Sequence, residues 1–174
     1  MNEQTDPVYS RQVLETLTVA NEFCLFTEKA GEYSKSDVLT YYRRIVPLLY
    51  LKGELVKDVI PENEELNERY VLEEEWESIF NTIKNKLYPD DSFWICANPF
   101  DADTEAEKSS LAECIADCYQ DMKDFITLYQ KNRHSSKENA VHTLCSNFPE
   151  HWGPALTKAL YALHLLYIEK PDLL

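Results

Sequence analysis

The sequence predicts an all-α fold: a single-domain up-and-down bundle of about six helices, with a long loop between the third and fourth. Three observations lead there. Only three glycines occur in 174 residues, too few for a succession of tight hairpins or for a glycine-rich phosphate loop. Apolar residues recur at helical spacing through most of the chain. Capping boxes open two of the helical stretches, at Ser110-Leu-Ala-Glu113 and Ser135-Ser-Lys-Glu138. With 44% hydrophobic residues, a chain of this length can bury about 70% of its unfolded surface in one core, so one domain over residues 1–174 is expected.

The first helix is expected from about Val8 to Ala30, with Val13, Leu17, Ala20 and Cys24 in one row and Val19, Phe23, Phe26 and Ala30 in another. Gly31 suits a left-handed stop, and Ser36 or Asp37 can cap the next helix. That helix, Val38 to Val56, is the element around which the chain is expected to be organised. On a wheel of about 100° per residue its apolar side chains, among them Tyr42, Leu48, Leu49 and Leu55, fill roughly 220°. Such a helix requires cover on more than one side. Arg43, Arg44, Pro47 and Glu54 share the remaining arc, and Pro47 there kinks the helix rather than ending it.

Asp58 to Glu77 holds nine acids against one arginine. A third helix, about Leu72 to Tyr88, has a single apolar stripe through Leu72, Trp76, Ile79, Phe80, Ile83 and Leu87, and its early glutamates complement the helix dipole. The connection from Tyr88 to Thr104 has no helical period, yet Phe93, Trp94, Ile95 and Phe100 are too apolar for water. It reads either as a strap tucked over the bundle or as a gate over a pocket or partner surface. The fourth helix, Ser110 to about Asn132, buries Leu111, Cys114, Ile115, Cys118, Tyr119, Met122, Phe125 and Ile126. Glu113, Asp117, Asp121 and Asp124 form its acidic ridge, with Asp121 at the rim of the apolar face and therefore partly buried. A short fifth helix ends at Pro149. The last, Ala155 to Ile168, is apolar nearly all round, so it is either sandwiched by other helices or meets a second subunit.

The net charge of −14 disfavours nonspecific binding to nucleic acid or anionic lipid. No apolar run reaches membrane-spanning length, and Met1 to Pro7 lacks the pattern of a signal peptide. Five cysteines, mostly inside helical patterns, suit reduced buried thiols. A cytoplasmic protein without membrane or nucleic-acid partners is expected.

Glu73-Glu74-Glu75-Trp76-Glu77 resembles the first metal motif of the all-helical nucleoside triphosphate pyrophosphohydrolases. That likeness implies a hydrolase acting on a phosphorylated small molecule, with Glu74, Glu77, Asp117 and Asp121 holding Mg²⁺ or Mn²⁺. The second motif of that family is missing. A zinc site can be drawn from Cys114, Cys118, His142 and Cys145, although no Cys-x-x-Cys supports it. Arg43 or Arg44 paired with Asp117 or Asp121 in a bridge setting helix register is the alternative use of these charges. His164 in an apolar helix reads as a hydrogen-bonded core histidine or as a functional one.

Three blocks, Tyr-Tyr-Arg-Arg-Ile-Val-Pro-Leu-Leu-Tyr-Leu-Lys-Gly, Ser-Leu-Ala-Glu-Cys-Ile-Ala-Asp-Cys-Tyr-Gln-Asp-Met-Lys-Asp, and His-Trp-Gly with Ala-Leu-Tyr-Ala-Leu-His, resemble a bacterial family known as domain of unknown function 5063. The resemblance spans nearly the whole chain. It implies a compact helical domain in which Asp117, Asp121, Trp152 and His164 share one framework, and it implies no cofactor or mechanism. The expectation is a module that binds a protein partner or itself, through the last helix or the Phe93–Phe100 segment. Its binding candidates are Arg43, Arg44, Asp117, Asp121, Trp94, Trp152 and His164.

Overall fold

A computed structural model describes residues 6–63, 67–96 and 98–173. Six α-helices carry the fold: α1 (Arg11–Glu28), α2 (Lys35–Glu54), α3 (Glu73–Leu87), α4 (Leu111–Tyr129), α5 (His134–Asn147) and α6 (Gly153–Glu169). Between α3 and α4 stand two short strands, β1 (Ser92–Cys96) and β2 (Ala106–Ser110). They pair antiparallel, from Ser92 opposite Ser110 to Cys96 opposite Ala106. The loop expected to lack structure thus contains a hairpin. Five residues alternating outward and inward in β1 are too few for a period to stand out from sequence. Of the acidic run, Glu64 and Glu65 lie outside the described residues, as do Met1 to Thr5 of the start.

The central helix is α4, not α2. Twelve of its residues are buried, from Leu111 to Tyr129, and it packs against α1, α3, α5 and α6. In α2, by contrast, Val38, Leu39, Tyr42, Val46, Leu49 and Gly53 form one buried stripe, facing α1 and α6. Leu48, Tyr50 and Leu55, within the apolar arc predicted to need cover, remain 39%, 36% and 49% exposed. The helix does pass through Pro47 without ending. Cross-links show that α2 runs antiparallel to both neighbours. The Tyr42 hydroxyl donates to Thr27 Oγ1 (3.1 Å) near one end and Thr16 Oγ1 donates to the Lys52 carbonyl (3.2 Å) near the other. Likewise the Arg43 guanidinium lies 4.1 Å above the Tyr167 ring, while Gly53 meets Trp152 at the start of α6.

Several boundaries differ from expectation for local reasons. Ser34 caps α2 by accepting the Asp37 amide (3.1 Å), ahead of Ser36 and Asp37. Gly31 lies in a 3₁₀ turn, and no glycine has positive φ among the described residues. The Ser110 capping contact forms as predicted, from the Glu113 amide to Ser110 Oγ (3.2 Å). The Ser135 box does not form, because α5 begins two residues earlier, with Arg133 at the N-cap, and Glu138 is drawn inward, where it accepts the Glu62 amide (3.3 Å). Pro149 does not end the helical run either. Residues Phe148–Trp152 wind as a π-turn that joins α5 to α6, and proline is tolerated in its first turn because that position needs no amide donor.

The hairpin is fixed at its base. Asp91 is 5% exposed, and its carboxylate accepts the Ser110 hydroxyl and the Ala112 amide, each at 2.8 Å. It therefore sits at the start of α4, where the helix dipole favours a negative charge. Phe93 packs against the core. Trp94 and Phe100 project away from it, 66% and 97% exposed, so the segment is not a strap tucked over the bundle. No helix among the described residues is long and apolar enough to cross a membrane.

Candidate functional site

Asp117, Asp121 and Asp124 fall at helical spacing on one side of α4. Each finds a partner from a different element. Asp117 accepts the Trp76 indole N–H from α3 (3.0 Å). Asp121 accepts Asn147 Nδ2 from α5 (2.8 Å) and pairs with Nδ1 of His151 in the π-turn through a very short contact. Asp124 Oδ1 accepts the backbone amides of Tyr70 (2.7 Å) and Val71 (2.9 Å), which fastens the segment ahead of α3 onto α4.

Between the Asp121 and Asp124 attachments lies a cleft of about 330 Å³. Phe125, Leu128, Ala140 and Leu144 supply its apolar floor, and Asn67, Glu68, Arg69, Asp121, Asp124, Asn147, Glu150 and His151 its polar walls. Burial raises the carboxyl pKa of Asp117 against the opposing indole hydrogen bond, and raises that of Asp124 against its two amide donors. The hydrogen bond to Asp121 raises the pKa of His151 above the ordinary histidine value. When the imidazole is neutral, an Nδ1 proton held by Asp121 leaves Nε2 as an acceptor. The Asp121 side chain is 10% exposed and that of His151 49%, so the carboxylate is the buried orienting member and the imidazole the accessible one.

The binding candidates read from sequence separate in space. Asp121 lines this cleft and is partly buried as expected, while Asp117 stands one turn earlier on α4 against Trp76, outside the lining. Trp152 is fully buried beside it, donating Nε1–H to the Leu144 carbonyl (2.9 Å). Arg43 stacks on Tyr167 on the α2–α6 side and Arg44 is exposed, so neither forms the predicted bridge to Asp117 or Asp121. The physical reason is that α2 packs on α1 and α6 instead of lying against α4. Trp94 stands on the hairpin, and His164 is exposed on α6, which corrects the core reading of that histidine.

Glu74 and Glu77 are exposed on α3, while Glu75 turns inward to accept the Tyr119 hydroxyl (2.6 Å). Among the described residues no three His, Cys, Asp or Glu side chains converge as metal ligands. Neither Glu74, Glu77, Asp117 and Asp121 nor the Cys114, Cys118, His142 and Cys145 set is gathered into a cage. His142 instead meets Asp58 (3.0 Å) and Cys145 faces the Val56 carbonyl (4.0 Å).

His151, Asn147 and Arg69 were not among the candidates. The visible signal was the acidic spacing of α4; the π-turn that swings His151 onto it has no periodic signature, since it changes the spacing for a single turn.

A small-hairpin helical bundle with one polar cleft at a π-turn is the class of protein that this geometry defines. The chain belongs to the family described as Domain of unknown function (DUF5063), whose model matches residues 7–169. Among solved structures it is similar to the crystal structure of protein BF1032 from Bacteroides fragilis, at 29% identity and a TM-score of 0.81, over 92% of this chain and 98% of that one. No curated protein matches the chain.

Proposed function

We propose that the protein is an interaction module that docks through the outer faces of α2 and α6, in the first instance onto a second copy of itself. The observation behind this reading is apolar surface that the chain leaves open. Leu48 and Leu51 on α2 with Leu55 at its C-cap, and Tyr161, Leu165 and Ile168 on α6, stay between 36% and 59% exposed at helical spacing. The two helices are neighbours, so their rows lie on adjacent elements, and exposed apolar rows of this kind mark interaction surfaces. Charge favours the same side. In a chain of net charge −14, α2 and α6 carry Lys35, Arg43, Arg44, Lys52 and Lys158 against Asp37, Glu54 and Glu169, which lowers the repulsion between two acidic copies meeting there.

Light scattering after size exclusion tests the proposal. A dimer is expected for the wild type and a monomer with unchanged circular dichroism for Leu51→Glu with Leu165→Glu. A wild type that stays strictly monomeric at all concentrations removes self-association.

A further inference from the structure

We infer that the cleft between α4, α5 and residues 67–71 binds a small zwitterion with an apolar body, of the class of free α-amino acids with hydrophobic side chains. This is independent of the docking face on α2 and α6. The volume, about 330 Å³, stands at the small end of the roughly 300–1,000 Å³ range of ligand sites.

Which charges are already committed decides the chemistry. Asp121 is satisfied by His151 and Asn147. Glu68 is neutralised by Lys131 at 2.5 Å. Left over are Asp124, which uses only Oδ1 for the Tyr70 and Val71 amides, and Arg69 and Glu150, for which no ion pair forms among the described residues. The open groups are thus two anions and one cation around an apolar floor. A simple cation would leave Arg69 facing it unfavourably, and a simple anion would meet Asp124 and Glu150. A molecule carrying both signs satisfies all three: its ammonium meets Asp124 Oδ2 and Glu150, and its carboxylate meets the Arg69 guanidinium, which can hold it bidentately. Its side chain lies on Phe125, Leu128 and Leu144. His151, fixed by Asp121, closes the end of the cleft at the π-turn, a kind of turn found often at functional sites.

The experiment is amide NMR titration of the full chain with L-leucine and L-phenylalanine, beside N-acetyl-leucine, leucinamide and putrescine. Saturable shifts at the cleft are expected for at least one free amino acid. Losses of about tenfold or more are expected for the N-acetyl and amide derivatives, as for one charge-assisted contact removed. Arg69→Gln and Asp124→Asn, the latter keeping an oxygen for the Tyr70 amide, should each abolish binding with the melting temperature of the unliganded protein little changed. Absence of saturable shifts with either amino acid overturns the inference. So does equal binding of the N-acetyl derivative or leucinamide, or a preference for putrescine, which would mean a site for one charge only.

Discussion

The Trp152 indole rests on the bare backbone of Gly53: a Cβ at that glycine would come within 2.0 Å of the ring. The contact joins the end of α2 to the π-turn, and both residues are buried. Gly53 thus stands in the last turn of α2, where the tryptophan occupies the space a side chain would take. Gly53→Ala should destabilise the fold by about 1–3 kcal/mol, the range for forced overpacking, measured by urea denaturation. Adding Trp152→Leu should cost less than the sum of the two single changes, since they share one contact. Strict additivity would show that the clash is relieved elsewhere.

The His151–Asp121 pair carries a pH dependence of definite sign. The folded pKa of His151 is raised above 6.5, chiefly by its hydrogen bond to Asp121. The stability it contributes is complete below the unfolded value and is lost as pH rises through the folded one. An NMR titration should place the His151 midpoint above that of a solvated histidine. Asp121→Asn should bring it down and flatten the stability profile over the same window. A midpoint unmoved by that substitution would show that the pair does not form in solution.

Asp117 offers a paired test. Its carboxyl pKa is raised, mainly by burial, so its ionisation costs stability as pH climbs through the folded value. Asp117→Asn keeps an oxygen for the Trp76 indole and should leave neutral-pH stability unchanged or slightly higher. Asp117→Leu should cost about 1 kcal/mol by leaving that N–H unpaired and should shift the tryptophan fluorescence. Equal behaviour of the two variants would mean that the indole bond is immaterial.

Thiol chemistry distinguishes the cysteines. All five are free, and only Cys96 is exposed. Burial pushes the thiol of Cys114 up to about 11 and that of Cys145 to about 12, and raises Cys24 and Cys118 as well. The thiolate is the reacting form, so native protein at mildly alkaline pH should show a single fast-labelling equivalent, lost in Cys96→Ser. A second fast equivalent would contradict the burial of Cys24, Cys114 and Cys118 and the raised pKa of the half-buried Cys145.

Helix number, order and the inward face of α4 were legible in the sequence because each rests on 3.6-residue periodicity sustained over several turns. The Ser110 cap was legible for the same local reason. What failed was relative placement. The apolar arc of α2 looked like that of a central helix, yet hydrophobicity alone does not say whether the covering surface belongs to the same chain. Pairing Arg43 or Arg44 with the acidic ridge requires α2 and α4 to be neighbours, and that adjacency is a tertiary fact. The hairpin has no clear signature in the sequence because its outward residues include Trp94, which breaks the apolar-in, polar-out alternation. Of the cleft, Asp121 is legible from its place in the acidic ridge of α4, while His151 depends on a helical joint that no period announces.

That joint has a further consequence. His151 and Trp152 are adjacent in the chain but serve opposite sides, one the watery cleft and the other the interior, and the wider winding from Phe148 to Trp152 sets the angle between them. Deleting a single amino acid there would rewind the backbone to ordinary pitch and rotate everything downstream by about 100°. Either the indole would leave its seat or the imidazole would turn from the aspartate, so the length of this stretch is as tightly fixed as the two side chains it orients.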